Sequence, residues 1–418
     1  MKPLIHTIWR HLGQAFLVLC LLILTTIASA QPFAKKNVRY LYDPVAPVSV
    51  EGKVYRNGDY YNVNVWVNMN WEGSINDVFF LSYTLTRNYN SDSWKNRDVP
   101  MSYQQYAKKE EGKRVYLSFD VPYEKGEELL IMKFTTLDGR YSYWFDLDLR
   151  KPAKYGRFLV WNDSRVYIED FVSRENIMNV RRTRTEGKLP MKLAYKESEF
   201  MGAGVPYKRM RKKKKQKQDS TFVIQMEGAE LSASVDLPQG LYYSILETGS
   251  GRREYLPLKI VGEYYPKYVS VEELLGPLQY IAEPKEFENL QKNKDKRYAL
   301  DLFWLKQIRS TDRAQLAVRK YYRQVMWANT FFTGTKDGWK TDKGMVFILF
   351  GTPDKVYKKK KKEVWIYEDE GDKSKIQFTF VRKNGLMGTD EYRLKRSRSY
   401  MGEWYRAKDL WRKGRAKT

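Results

Sequence analysis

The spacing of hydrophobic residues changes from a strand period to a helix period at about residue 271 and back to a strand period at about residue 345, and these changes limit the fold classes open to the chain. Between about residues 40 and 263 apolar and polar positions alternate in short runs, which predicts half-buried antiparallel strands. The clearest run, YYNVNVWVNMN at residues 60–70, places on one face Tyr61, Val63, Val65, Val67 and Met69. From Val271 the apolar residues recur every three or four positions, which predicts helices. The sequence therefore predicts a multidomain chain with two antiparallel β-sandwich-like domains followed by a C-terminal α+β domain, in which helices precede an antiparallel meander.

Turn signals and composition divide the chain into four segments. We predict a signal peptide over 1–30, a β-sandwich domain over 31–152, a second β-rich domain over 153–265 and an α+β domain over 266–418. The sandwich segment begins with a short extended lead, and its strands are separated by turn pairs such as Asn57-Gly58. The second domain contains a run with eight basic residues among ten, 208–217, which repels itself and predicts a solvated loop.

The α+β segment carries two long helix patterns, Tyr298–Arg309 and Thr311–Phe332. Four strand candidates follow, at residues 345–350, 363–367, 375–381 and 391–395. A basic tail that contains Trp404 and Trp411 ends the chain, and we predict a helix that docks these tryptophans on the domain. The alternative for the tail is binding along an anionic membrane surface or a polyanion.

The first thirty residues have the marks of an export signal. A positive start at Lys2 and Arg10 is followed by an apolar stretch, residues 15–27, that is short for a membrane span. Ala28-Ser29-Ala30 is a small-residue cleavage site. No later segment reaches eighteen consecutive apolar residues, so we predict no transmembrane helix in the mature chain.

Removal of this signal would also remove the only cysteine, Cys20, and both histidines, His6 and His11. The mature chain would then form no disulfide and would have no thiolate or imidazole for catalysis. It would also lack ordinary zinc, haem and copper ligand sets. We therefore predict no cofactor and no metal site, and any catalysis would have to use carboxylates, Lys, Tyr, Ser or Thr.

The chain is strongly basic, with a net charge of +25 that becomes +23 once Lys2 and Arg10 are removed. Such an excess favours lipopolysaccharide or phospholipid headgroups, acidic glycans or extracellular nucleic acid, or only solvates the surface. The candidate polyanion-binding residues come from two runs: Lys208, Arg209, Arg211, Lys212, Lys213, Lys214, Lys215, Lys217, Lys358, Lys359, Lys360, Lys361 and Lys362. No phosphate-loop, dinucleotide or nucleic-acid module signature accompanies them, so no specific nucleic acid is predicted.

One short stretch, GWKTDKGMVFILFGTPD at residues 338–354, combines several residue types that shape backbone. Gly338 is expected to close the preceding helix in the left-handed conformation, and Trp339 to anchor the core edge with its N–H bonded. Thr341 and Asp342 are expected to accept from the backbone N–H groups of the next two residues. The apolar run 345–350 predicts a strand buried on both faces, with Gly351 to Asp354 as its exit turn.

Gly338-Trp339-Lys340-Thr341-Asp342 is similar to the signature of the GWxTD domain family of bacterial envelope proteins. The order helix, helix, G-W-x-T-D, strand, G-x-P-D, E-x-W-x-Y over residues 298–395 also resembles that family. Lys343 departs from it, since arginine is more usual there. The motif residues so identified are Gly338, Trp339, Thr341, Asp342, Gly344, Gly351, Pro353, Asp354, Glu363, Trp365 and Tyr367. The resemblance implies an exported protein with β-rich segments before the motif domain, and no established reaction.

The sequence leaves three hypotheses for the function. The leading one is a non-enzymatic, exported envelope protein, periplasmic, outer-membrane associated or extracellular, whose C-terminal domain recognises an envelope protein partner. The second is polyanion binding through the lysine runs. The third is a glycan-active enzyme that uses carboxylates from Asp342, Asp354 and Glu363. The first two of these acids lie at opposite ends of the apolar run, too far apart to act on one bond if that run is extended.

Overall fold

The computed structural model describes residues 32–416 except for 72–73, 92–97, 151–157, 163–164, 167, 169, 174–177, 183–190, 197–201, 209–219, 225–229, 234–238, 248–252, 309, 369–374 and 385–389. The predicted signal peptide and most of the basic run 208–217 lie outside the described residues. Among the described helices, none is both long enough and apolar enough to cross a membrane.

The N-terminal region is a β-sandwich, as predicted. One sheet has the order β1-β2-β6-β5 and the other β4-β3-β7-β8, with antiparallel pairing throughout both sheets. Alternate residues of β2 and β6 point inward to the shared core, among them Val63, Val65 and Leu117. The elements are β1 Val48–Asn57, β2 Tyr60–Met69, β3 Phe79–Thr86, β4 Val99–Met101, α1 Tyr103–Tyr106, β5 Ala107–Glu111, β6 Arg114–Pro122, β7 Leu129–Thr136 and β8 Ser142–Asp148.

The middle region is also built from two sheets. Their orders are β10-β9-β12-β15 and β11-β17-β16-β13-β14, and all pairs are antiparallel except β11 with β17. The strands are β9 Phe158–Asn162, β10 Arg165–Val166, β11 Phe171–Ser173, β12 Met178–Arg182, β13 Met191–Lys196, β14 Ser220–Ile224, β15 Glu230–Ala233, β16 Gly240–Glu247 and β17 Arg253–Val261.

The C-terminal region begins with helices and ends with a meander of order β18-β19-β20-β21, which confirms the α+β prediction. Its helices are α2 Val271–Leu275, α3 Pro284–Lys292, α4 Lys296–Ile308, α5 Thr311–Phe332, α6 Asp342–Phe350 and α7 Met401–Arg412. Its strands are β18 Lys355–Lys359, β19 Lys362–Glu368, β20 Lys375–Asn384 and β21 Asp390–Leu394. Trp404 and Trp411 of α7 are buried, and the Trp411 indole N–H donates to the Leu349 carbonyl at 3.1 Å, so the docked tail helix is confirmed.

The prediction of a strand at residues 345–350 is wrong, because these residues form the C-terminal part of α6. Helix α6 is enclosed on all sides and buried from Asp342 to Leu349. An apolar run without a polar face fits a buried strand and a buried helix equally well, so the sequence pattern does not separate them. The first strand of the meander is β18 instead, and this strand includes the first two residues of the lysine run 358–362.

The expected extended lead is also wrong, since two short 3₁₀ helices, Phe33–Lys35 and Arg39–Tyr42, occupy it. They bind to the C-terminal region, where the Val38 N–H donates to the Val356 carbonyl at 2.9 Å. Phe33, Val38 and Tyr42 belong to the same hydrophobic core as α5, α6 and the meander. The lead therefore fastens the sandwich to the C-terminal region.

Candidate functional site

The signature begins with a 3₁₀ turn, Gly338–Lys340, that is pressed between two helices. A Cβ atom on Gly338 would collide with the Ala328 carbonyl of α5, and one on Gly344 would collide with the Gly338 carbonyl. Both glycines are therefore required for close backbone approach. Gly338 does not have the left-handed conformation that was predicted; the positive φ in this stretch, 77°, belongs to Gly351 at the end of α6.

Trp339 is an anchor, as predicted. Its ring is buried, and its indole N–H donates to the Tyr268 hydroxyl at 2.8 Å. Its backbone N–H donates to the Asn329 side chain at 3.1 Å, and its carbonyl accepts from the Tyr280 hydroxyl at 2.7 Å. These three hydrogen bonds fix Trp339 against Asn329 of α5 and against Tyr268 and Tyr280.

Thr341 begins α6 as its N-cap. Its hydroxyl oxygen accepts from the Gly344 N–H at 2.9 Å and donates to the Gly338 carbonyl at 2.7 Å. Threonine is a favoured N-cap because its oxygen satisfies a backbone N–H at the helix start that has no partner within the helix. The predicted bond from Thr341 to the amide of Gly344 is confirmed, although it starts a helix rather than a strand.

Asp342 does not bond the local backbone, contrary to the prediction. One carboxylate oxygen accepts from the Leu394 N–H at 2.8 Å, and the two oxygens together accept from the Arg396 guanidinium at 2.6 and 3.1 Å. Arg396 also donates to the carbonyls of Gly204 and Val205, at 3.0 and 3.2 Å. We call Asp342, Arg396 and the segment 204–205 the middle joint, because they connect α6 and the meander with the middle region.

Lys343 lies in a second buried cluster, which sequence reasoning missed. Its ammonium donates to Glu363 at 2.8 Å and to the Tyr42 hydroxyl at 3.0 Å, and it lies 3.9 Å from the centroid of the Tyr392 ring. The other oxygen of Glu363 accepts from the Trp365 indole N–H at 2.6 Å. A lysine at the start of an otherwise apolar run was the available signal, because a buried lysine needs a charged partner.

The same cluster extends to the sandwich through the lysine run. Lys358 pairs with Asp146 at 2.6 Å, and the Tyr89 hydroxyl donates to the other oxygen of Asp146 at 2.7 Å. Burial by itself would raise the pKa of Glu363, but the charges of Lys343 and Lys358 outweigh burial and lower it. We call Tyr42, Lys343, Glu363, Lys358 and Asp146 the N-terminal joint.

Three further ion pairs surround the N-terminal joint. Arg382 contacts Asp148 at 2.7 Å and also Asp390, while Lys360 contacts Glu128 at 2.6 Å. Burial favours the neutral form of Asp148, yet the hydrogen bonds and charges of Arg150 and Arg382 hold its pKa well below the usual value. The sandwich therefore meets the C-terminal region through acidic residues that face basic ones.

A cleft of about 430 Å³ opens beside Trp339, between the end of β17 and α2. Asp337 lies at its wall with two lysines, Lys259 and Lys340; the second is 2.7 Å away. Burial opposes the ionisation of Asp337, but these two charges lower its pKa to about 2. The acid is thus fully occupied by ion pairs within the chain.

The remaining predicted residues have separate places. Glu363, Trp365 and Tyr367 alternate on the buried face of β19, as expected, and the Tyr367 hydroxyl donates to the Gly351 carbonyl at 2.9 Å. Pro353 is buried next to Asp354, whose carboxylate accepts from the Glu368 N–H at 2.8 Å. Asp342, Asp354 and Glu363 each have different partners, and within the described parts of the chain no three acidic side chains converge as a metal site.

The candidate polyanion residues differ in their surroundings. Lys358 and Lys360 form ion pairs with acids of the sandwich, although Lys360 is itself exposed. Lys359, Lys361 and Lys362 are exposed at the ends of β18 and β19 and in the turn between them. Lys208 is exposed as well. The other members of the first run, Arg209 to Lys217, lie outside the described residues.

Comparison with known proteins yields one family and distant structural likenesses. No curated protein matches the chain. Among solved structures, an alpha-2-macroglobulin from Salmonella reacted with methylamine has 11% identity and a TM-score of 0.16, with 55% of this chain and 17% of that chain covered. A trypsin-activated alpha-2-macroglobulin from Escherichia coli has 10% identity and a TM-score of 0.16, with 52% and 17% covered. The chain spans about a sixth of these proteins, and likeness at this level does not establish a shared fold.

The model of the GWxTD domain matches residues 240–413. The matched region begins at β16, includes most of the residues that line the cleft and both lysines that hold Asp337, and ends just after α7. It is longer at both ends than the stretch 298–395 in which the motif order was recognised. Residues 240–413 of this chain are a GWxTD domain.

Proposed function

We propose that this protein is a non-catalytic structural and protein-interaction component of the bacterial cell envelope. The supporting observation is that the polar groups of the signature are used inside the molecule. Asp342 binds Arg396 and a backbone N–H, Glu363 binds Lys343 and Trp365, and Thr341 caps α6. Groups that are fully bonded in this way hold elements together and are not free to bind or transform a substrate.

Export to the envelope is the second part of the proposal. It rests on the apolar N-terminal segment with its small-residue cleavage site and on the setting that the family resemblance implies. The GWxTD domain would then act as a rigid base, since its two joints fasten both β-rich regions to α6.

A partner surface is offered by the outer face of the sheet β4-β3-β7-β8. One end of this face is covered, because Leu129 and Ile131 of β7 are packed in the core of the C-terminal region. Residues at every second position of a strand share a face, so Thr135 lies on the same side as Ile131, and Phe80 pairs with Thr135 on that side. Leu137 directly follows β7, and its N–H donates to the Val78 carbonyl at 3.0 Å. Phe80 and Leu137 are 64% and 47% exposed. We propose that this uncovered end receives the protein partner.

The test is co-purification of the tagged full chain from detergent-solubilised envelopes. Wild type is expected to retain one reproducible envelope protein, and the double variant Phe80→Asp/Leu137→Asp to lose it while its circular dichroism and melting temperature remain those of wild type. The matched control, Leu302→Asp/Leu305→Asp, removes two exposed leucines of the GWxTD domain and is expected to retain the partner. Absence of any reproducible partner, or a partner that the Phe80 variant still retains, contradicts the proposal.

A further inference from the structure

Helix α4 is apolar on two sides. Its inner side belongs to the core through Ala299, Leu300, Phe303, Trp304 and Ile308. Its outer side carries Tyr298, Leu302 and Leu305, which are 60%, 47% and 45% exposed. A surface helix normally has a polar outer side, and a helix that is apolar all round is normally covered. The outer side of α4 therefore has the composition of a covered surface.

The three exposed residues form one stripe. They occupy positions i, i+4 and i+7 of α4, which lie on one helical face about one turn apart. The next helix, α5, carries one further exposed leucine, Leu316, which is 57% exposed. We call Tyr298, Leu302 and Leu305 the outer stripe.

Unpaired cations accompany the outer stripe. Lys306 of α4 and Arg313, Arg319 and Arg323 of α5 are exposed, and none of them has an ion-pair partner within the part of the chain that the structure describes. Of the acids nearby, Asp301 already binds Arg297 at 3.4 Å. The helical hairpin thus presents apolar side chains together with a net positive charge.

From this combination we infer that the outer stripe lies on the surface of an anionic phospholipid bilayer. Helices that lie in a membrane surface combine apolar residues on one face with lysine and arginine beside them. The long cationic side chains reach lipid phosphates while their aliphatic parts stay with the apolar layer. Helix α4 has 13 residues, or about 20 Å, so it would lie along the surface and not cross it. This contact goes beyond the protein partner proposed above.

The test is co-sedimentation of the protein, as the cell produces it, with vesicles of phosphatidylcholine alone and of phosphatidylcholine with 30% phosphatidylglycerol. Wild type is expected to bind the anionic vesicles, with weaker binding in 0.5 M salt because the cations are exposed. Leu302→Asp/Leu305→Asp is expected to lose at least about tenfold in affinity, since each leucine no longer enters the apolar layer. Charge reversal, Lys306→Glu/Arg313→Glu, is expected to weaken binding to the anionic vesicles while the apolar residues remain.

Phe80→Asp/Leu137→Asp is the matched control, because it removes comparable exposed apolar residues from the sandwich, and its vesicle binding is expected to equal that of wild type. Melting temperatures show whether each variant is folded. The inference is overturned if wild type binds neither vesicle, if the two vesicles are bound equally, or if the leucine variant binds like wild type. It is also overturned if sedimentation equilibrium shows a dimer that the leucine variant dissociates, since a second copy would then cover the stripe.

Discussion

Two consecutive residues at the start of α6, Asp342 and Lys343, connect the GWxTD domain with two different regions. Asp342 holds the middle joint, in which a planar guanidinium meets both carboxylate oxygens and a backbone N–H completes the site. Lys343 holds the N-terminal joint, in which a single ammonium lies among aromatic rings and meets one carboxylate oxygen. The first turn of α6 thereby connects the GWxTD domain to both β-rich regions.

The two joints differ in how costly it is to remove one charged partner and leave the other buried. The side chains of Glu363 and Lys343 are 1% and 8% exposed, and those of Asp342 and Arg396 are 8% and 9% exposed. Glu363 is therefore the charge with the least access to water if its partner is removed. If Asp342 is removed, Arg396 still donates to two backbone carbonyls. The free-energy cost of leaving its charge buried is therefore smaller than that of leaving Glu363 buried without its partner. The N-terminal joint should be the more sensitive one.

The largest effect is expected for Lys343→Met, which removes the ammonium that is hydrogen-bonded to the buried Glu363 carboxylate. The free energy of unfolding should fall by about 3–5 kcal/mol, measured by urea denaturation. The double variant Lys343→Met/Glu363→Gln should recover part of this loss, because glutamine is neutral and still accepts from Trp365. Equal losses in the single and double variants would show that the pair does not act as a unit.

A smaller loss, about 2–3 kcal/mol, is expected for Asp342→Asn, because one charged partner and its paired hydrogen bonds are removed while Arg396 keeps its carbonyls. Limited proteolysis should also become faster near residues 204–205. Asp354→Asn is the matched control: its side chain can still accept from the Glu368 N–H, so a loss of less than about 0.5 kcal/mol is expected. A variant at Asp342 that keeps its stability but abolishes a turnover would instead make this acid catalytic.

The smallest effect is expected from mild acid. The pKa of Glu363 is lowered in the folded protein from an ordinary value of 4.5, so its stabilisation is present above that value and is lost as the pH falls through the lowered pKa. Between pH 5 and pH 4 only the first part of this loss is reached. The difference in free energy of unfolding between wild type and Glu363→Gln, measured from pH 7 to pH 3, should therefore shrink below about pH 4.5. A constant difference across this range would contradict the assignment.

Prediction from sequence succeeded where a pattern is local and one face is exposed. The alternation in β2 and the helical spacing in α5 each have a polar side that reveals the period. It failed at α6, where no polar side exists, and in the lead before β1, whose 3₁₀ helices are stabilised by the C-terminal region. It also failed for Gly338, because a glycine that allows close backbone approach and a glycine in a left-handed turn look the same in the sequence.

The sequence by itself determined the order of β-rich and helical regions, the hydrogen bond from the Gly344 N–H to Thr341 and the presence of the family signature, because each depends on residues that are near one another along the chain. Only the tertiary structure decided what Asp342 and Lys343 bind. Their partners Arg396 and Tyr42 are 54 and 301 residues away. Such pairs form only once sheets and helices have packed, since burial at the contact both removes water from the charges and brings the partners within bonding distance.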